Sequence, residues 1–322
     1  MSRLSNDSAS LVPRTSFGGP ALELDFPGLE IGVAEYEEGP TGCTVFHFPP
    51  AGAACATDVR GGSPGLIGAY DRVDAICFAG GSLYGLEAAS GVAAELLRRR
   101  DYSRDWTAIA GVSGAIIYDF GPRENAVYPD KELGRAALAA ARPGLFLLGP
   151  RGAGRSATVG KTFEFSQGEP SGQGGAFREL GPTKLAVFTV VNAIGAIVDR
   201  AGDVVRGHLD RATGLRSPLV AGLEERQAAG RPRRPPGNTT LTLVVTNQRL
   251  DARSLDQVGR QVHASMARAI HPLHTLLDGD VLFAVSTGAV DNELIDPIAL
   301  AVFASELAWD AVLASFKQPE PS

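Results

Sequence analysis

Cysteine, methionine and tryptophan are scarce in this chain: three, two and two among 322 residues. Cys43, Cys55 and Cys77 cannot all pair with one another, and none belongs to a C-x-x-C. A disulfide frame and a cysteine zinc site are therefore not expected; the three read as small core hydrophobes of a cytoplasmic protein. A surplus of one charge is also missing. Thirty Lys and Arg against 36 Asp and Glu leave −6 at pH 7, which argues against a nucleic-acid partner. No run reaches 18 apolar residues, so no membrane-spanning helix is expected. Residues 1–25 lack the apolar centre of a signal peptide and read as a loose polar arm. No internal repeat is visible. Hydrophobic residues make up 44%, ample for a core. The length allows two domains or one large α/β domain.

Strand-like and helix-like segments alternate. Cys43–Phe48, Val73–Ala79 and Ala115–Phe120 are short apolar runs with strand character. Ser82 to Arg100 reads as a helix capped by Ser82, and Lys131–Ala141 as a shorter one. Lys184–Arg200 breaks at Asn192-Ala193-Ile194-Gly195 into two strands, with a third expected near Asp203–Leu209. Residues 216–237 hold four prolines and five arginines and read as a solvated linker. Beyond it the chain turns regular: Thr239–Asn247 a strand, Leu255–Ile270 an amphipathic helix, Val281–Ser286 a strand, Ile298–Phe316 a long apolar helix.

Three motifs invite a function. The segment from Gly152 to Thr162, GAGRSATVGKT, resembles a phosphate-binding loop, and a nucleotide would sit at Gly154–Thr162. Five residues separate Gly154 from Gly160 where that loop needs four, so its nest of backbone N–H groups would be misplaced. A role for Lys161 as a point charge or donor in some other site stays open, beside the plain reading as a surface charge. GGSLYG, Gly80 to Gly85, imitates a nucleophile elbow but has Tyr84 where Gly is required. Its glycines leave it as a wall for a pocket. HPLHTLLDGD offers His271, His274, Asp278 and Asp280 as metal ligands, against a plain turn into the next strand.

The junction at Asn238-Thr239 differs from these. A Pro-rich segment ends in Gly237-Asn238 and a strand starts at once with Thr239. If the bond before Thr239 were cut, that residue would carry both a hydroxyl nucleophile and its own base, an α-amine with a pKa near 8.

Ten blocks in one order now resemble a known family. They are LDFPGLEIGVAEYEEGPTG, DVRGGSPG, AICFAGGSLYGLEAASGV, AIIYDF, AVYPDKELGRAAL, SGQGGAF, VVNAIGAIVDRAG, GNTTLTLVVTN, HPLHTLLDGDVLFAVST and ASELAWDAVL. The chain resembles the DmpA-type family of self-cleaving N-terminal-nucleophile hydrolases. The YEEGPTG, AVYPDK and GQGGAF blocks, with Thr at the nucleophile position, resemble its nylon-oligomer branch more than its aminopeptidase branch.

That resemblance implies a four-layer αββα sandwich, an α/β fold, with no metal or organic cofactor. It implies a cut between Asn238 and Thr239 that leaves a large subunit, 24–238, and a small one, 239–322, in one domain behind a flexible arm, 1–23. Thr239 would be the nucleophile, Asp278 and Asp280 the carboxylates beside it, and Lys161, Asn192 and Tyr118 the remaining polar site residues. The implied substrate is a small-molecule amide: a 6-aminohexanoate oligomer cut internally or, in the aminopeptidase branch, a short peptide or D-amino-acid ester or amide. The implied assembly is a homotetramer. For the residues the resemblance supplies, chemistry is consistent with an α-amine that would take the hydroxyl proton and with Lys161 and Asn192 as donors to the oxyanion. Tyr118 positions substrate, and an Asp carboxylate replaces the missing amine during self-cleavage.

Overall fold

A computed structural model describes residues 4–121, 123–230 and 237–317. Two β-sheets lie face to face, and helices cover the outer side of each. The strands of the two sheets are, in chain order, β1 (Glu30–Tyr36), β2 (Thr41–His47), β3 (Ala53–Val59), β4 (Leu66–Ile67), β5 (Arg72–Val73), β6 (Ala75–Ala79), β7 (Val112–Ile116), β8 (Gln173–Leu180), β9 (Thr183–Asn192), β10 (Thr239–Gln248) and β11 (Val281–Val290). One sheet runs β1-β2-β6-β7-β4 and the other β8-β9-β10-β11-β3-β5. The helices are α1 (Glu87–Arg99), α2 (Lys131–Ala139), α3 (Leu219–Ala228), α4 (Ala252–Ser265) and α5 (Pro297–Ala314).

The layering follows from the sequence of β10, which is buried along its whole length. Its neighbours are a sheet on one side and helices on the other, so it needs no polar face. Leu241, Leu243 and Val245 enter the core between the sheets with Phe46, Phe78, Phe188 and Phe283. Val244 turns the other way, towards α4 and α5. A third cluster packs α1 and α2 on Val45, Ala75 and Cys77 of the first sheet. The rings of Phe46, Phe146 and Phe188 pack at centroid distances of 4.8 to 6.1 Å in the middle layer. All three cysteines are free and buried.

Local signals set the helix ends. Asp130, Asp251 and Asp296 each cap a helix by accepting a backbone N–H, from Leu133, Ser254 and Ala299. Pro297 opens α5, where its missing N–H costs nothing. Helices α1 and α2 approach closely through Gly91 and Gly134. A Cβ at Gly91 would lie 2.1 Å from the Lys131 carbonyl oxygen, and one at Gly134 2.0 Å from that of Ala88. By length and composition α5 alone among the described residues could cross a bilayer. Its inner face packs on the second sheet, and its outer face carries Glu306 and Asp310, paired with Arg200 and Arg268.

Three expectations change. Within the span read as a linker, Leu219–Ala228 is helix α3, held by Gly222 against the ring of Phe163; residues 231–236 of that span lie outside the described residues. The linker reading weighed Pro and Arg but not the run LVAGLEERQA. Ser82 caps nothing. The stretch before α1 is a one-turn 3-10 helix, Ser82–Leu86, and the Ser82 hydroxyl accepts the Phe120 N–H instead. The N-terminal arm lies on the body, where Asn6 donates to Asp130 and Ala21–Glu23 pairs with Leu145–Leu147.

Candidate active site

The centre of the second sheet brings the distant residues together. Thr239 is the first residue of β10, and strand register sets Asn192, the last residue of β9, directly beside it. On its other side β11 runs parallel to β10, and the chain before β11 bridges Asn238 to Asp278. The Asn238–Thr239 peptide is thus flanked by Asn192 on one side and the Asp278-Gly279-Asp280 loop on the other. Both Asn238 and Thr239 are fully buried.

The Thr239 hydroxyl lies 2.5 Å from the carbonyl oxygen of Asn238 and donates to it. The Gly279 N–H donates to the same oxygen at 2.8 Å. Asp280 accepts the Thr240 N–H at 2.6 Å through one oxygen, and the His274 N–H and ring Nδ1 at 3.0 and 2.9 Å through the other. Asp278 accepts the Thr275 N–H at 2.8 Å through Oδ2. Burial, then the Asp280 charge, push the Asp278 carboxyl up to about 6.

Lys161 is 2% exposed, and its ammonium donates to Asn192 Oδ1 at 3.1 Å. Burial pulls its pKa down to about 7, against the opposing pull of Asp278 and Asp119. The Asn192 amide group donates to the Tyr118 carbonyl at 2.8 Å, and its oxygen also accepts the Thr158 N–H. Tyr118, Lys161, Asn192, Phe120, Phe165 and Gly237 line a cavity of about 140 Å³. Ser82 joins that wall, as expected of the GGSLYG loop. Burial raises the Tyr118 hydroxyl above its usual range.

All six residues expected at the site, Tyr118, Lys161, Asn192, Thr239, Asp278 and Asp280, therefore converge on the junction or on the cavity beside it. Sequence reasoning missed two contributors. One is the Gly279 N–H. The other is the DVRGGSPG block: the Arg60 and Gly61 N–H groups donate to the Asp280 carbonyl and that of Ser63 to the Asp278 carbonyl, which pins the loop. The block's position in the ordered resemblance was the available signal.

The two rival readings lose their geometry. A phosphate loop must open a helix, but Lys161 and Thr162 lead into a one-turn 3-10 helix, Phe165–Gln167. Gly160 packs instead against Gly207. The proposed metal set is divided: both Asp280 oxygens are taken by N–H groups, and exposed His271 pairs with Ala196 in a short strand. Among the described residues no group of three or more His, Cys, Asp or Glu is placed to hold a metal.

The model of peptidase family S58 matches residues 24–317. The chain belongs to peptidase family S58. It is 48% identical to the 6-aminohexanoate-oligomer endohydrolase of Agromyces sp. (strain KY5R), over 97% of this chain and 90% of that protein. The enzyme of the same name from Paenarthrobacter ureafaciens matches to the same extent. Among solved structures, a Burkholderia sp. beta-aminopeptidase superposes with a TM-score of 0.63 at 17% identity, over 89% of this chain and 84% of that one. The L-aminopeptidase D-Ala-esterase/amidase from Ochrobactrum anthropi gives 0.63 at 16%, over 93% and 88%. The layered fold and the family read from the ten blocks are thus both borne out, and amide-bond hydrolysis is the chemistry that goes with them.

Proposed function

We propose that this S58 hydrolase cuts its own Asn238–Thr239 bond and that the freed Thr239 then hydrolyses amide bonds inside 6-aminohexanoate oligomers. The observation that carries the reading is the Thr239 hydroxyl, 2.5 Å from the Asn238 carbonyl oxygen in a junction flanked by two carboxylates.

In self-cleavage the Thr239 oxygen attacks the Asn238 carbonyl carbon. Its proton passes to a carboxylate and from there to the departing Thr239 nitrogen. The resulting ester is hydrolysed by water, which leaves an Asn238 carboxylate and a free Thr239 amine and hydroxyl. Asp278 is the better base. Its Oδ1 has no hydrogen-bond partner, and a pKa near 6 suits proton uptake around neutrality, whereas three N–H donors commit Asp280. Asp280 then orients the strand start and stabilises the new ammonium.

Substrate hydrolysis repeats the attack with the α-amine as base. Thr239 has no exposed surface in the uncut chain, so the segment ending at Asn238 must move before substrate can reach it. Lys161 and Asn192, on the wall of the adjoining cavity, supply donors towards the substrate carbonyl, and Tyr118 positions the chain. The substrate class rests on the two oligomer hydrolases of 48% identity. The structural neighbours support a second reading, an aminopeptidase or amidase acting on short peptides.

Intact-mass analysis tests the first step. Wild-type protein is expected as pieces of about 25 and 9 kDa, the small one starting at Thr239, while Thr239→Ala stays whole. A single uncut wild-type chain that still hydrolyses amides refutes the mechanism. Turnover of 6-aminohexanoate trimer against alanine p-nitroanilide then separates the two substrate readings.

A further inference from the structure

We propose that the peptide N–H of Gly279 is the oxyanion donor of self-cleavage. The proposal rests on the self-cleavage reading and adds to it the group that carries the negative charge. In the uncut chain the Asn238 carbonyl oxygen accepts from the Thr239 hydroxyl at 2.5 Å and from the Gly279 N–H at 2.8 Å. When the Thr239 oxygen bonds to the carbonyl carbon, its hydroxyl proton is lost and that donor disappears. The π electrons move to the Asn238 oxygen, and the Gly279 N–H stays on it. A fixed backbone dipole at 2.8 Å needs no rearrangement as the charge grows, which is how an oxyanion site acts.

The side-chain donors of the adjoining cavity are aimed at other groups in the uncut chain. The Lys161 ammonium donates to Asn192 Oδ1, and the Asn192 amide group donates to the Tyr118 carbonyl. The loop that presents Gly279 is fixed from both sides. The Asp278 N–H donates to the Thr275 carbonyl, Ser63 N–H donates to that of Asp278, and the Asn238 N–H donates to that of Leu277. Glycine is required for closeness. A Cβ at position 279 would stand 2.7 Å from the Thr239 oxygen and 2.8 Å from the Ser63 carbonyl oxygen. The residue between the two carboxylates therefore has its own task, to let the nucleophile lie over its Cα while its N–H holds the scissile carbonyl. The ester keeps the acyl carbon on the Thr239 oxygen, so the same N–H meets the second oxyanion when water attacks.

The test replaces this N–H by an oxygen; its one other effect is to make the Asp278 carbonyl, which accepts the Ser63 N–H, a weaker ester acceptor. Protein ligation can place glycolate at position 279, which replaces the 278–279 amide by an ester and keeps its shape. Cleavage is followed by intact mass. Self-cleavage is expected to slow by about 10²- to 10³-fold, the usual effect of deleting one oxyanion donor. A folded ester variant that cuts at the wild-type rate overturns the proposal while leaving self-cleavage intact. Wild-type protein that never cuts overturns the underlying reading, and the proposal with it. A second measurement does not depend on refolding the ester. In uncut Thr239→Ala protein a through-hydrogen-bond scalar coupling between the Gly279 nitrogen and the Asn238 carbonyl carbon is expected, and its absence overturns the proposal.

Discussion

Replacing Lys161 with methionine separates a charge kept for chemistry from one kept for stability. The lysine is 2% exposed, and its ammonium has one hydrogen-bond partner, Asn192 Oδ1. Burial lowers its pKa from 10.5 to about 7. That span corresponds to about 5 kcal/mol of unfavourable charging in the folded state. The lost bond to Asn192 gives back about 1.5–3 kcal/mol, as hydrogen bonds to charged groups do. Methionine fills similar volume without a charge, so Lys161→Met is expected to raise stability by about 2 kcal/mol at pH 7 while impairing amide hydrolysis. The sign with pH is definite. A lysine whose folded pKa is lowered makes the unfolded chain bind more protons between about 7 and 10.5, so wild-type stability rises with pH across that window. The advantage of Lys161→Met is therefore full at and below about pH 7, shrinks by about 1.4 kcal/mol per pH unit above it, and is gone by about pH 8.5. The assay is urea unfolding of Thr239→Ala and Thr239→Ala/Lys161→Met, which keeps both proteins as one chain, at pH 6.5, 8 and 9.5. A methionine variant less stable than its parent at pH 6.5, with a difference that ignores pH, would refute the reasoning. Lys161 would then be a satisfied structural cation.

Further outcomes follow from other parts of the structure. Self-cleavage that uses the Asp278 carboxylate should slow as pH falls through about 6, where that carboxyl gains its proton, and Asp278→Asn should process at least 100-fold more slowly at pH 7.5; an unchanged intact-mass time course would remove Asp278 as base. His208, buried against Phe163 and Thr162, has its pKa lowered to about 4 by burial. The unfolded chain then binds the extra proton between 6.5 and about 4, so acidification over that range should cost about 3 kcal/mol. His208→Gln should flatten that slope in unfolding midpoints measured against pH. Gly91→Ala and Gly134→Ala should each destabilise the chain by about 1–3 kcal/mol through overpacking of α1 on α2. Their calorimetric melting temperatures should fall while the junction at Asn238 is still cut, and an unchanged melting temperature would mean that the helices separate without cost.

Much of this protein was legible from the chain alone, because local patterns report local physics. The run TTLTLVVTN is β-branched and apolar enough to predict a strand, and β10 is that strand; that it is buried along its whole length is a product of the layers on each side. The break at Asn192 to Gly195 marked the end of β9. The ten ordered blocks carried the family and, through it, the αββα layers and the six polar residues. Tertiary structure alone decided what those residues do to one another. Strand register, a property of pairing, puts Asn192 beside Thr239 across 46 residues of sequence and Asp278 beside Asn238 across another 39. Burial, a property of the packed layers, turns Lys161 from an ordinary cation into one with a pKa near 7. The carbonyl at Asn238 meets the Gly279 N–H because residues 60–63 pin the DGD loop from below, and a backbone donor leaves no trace in side-chain chemistry. The sequence determined which groups were present; only the fold determined which atoms they face, because hydrogen bonds and dielectric screening depend on distance and solvent exclusion rather than on order along the chain.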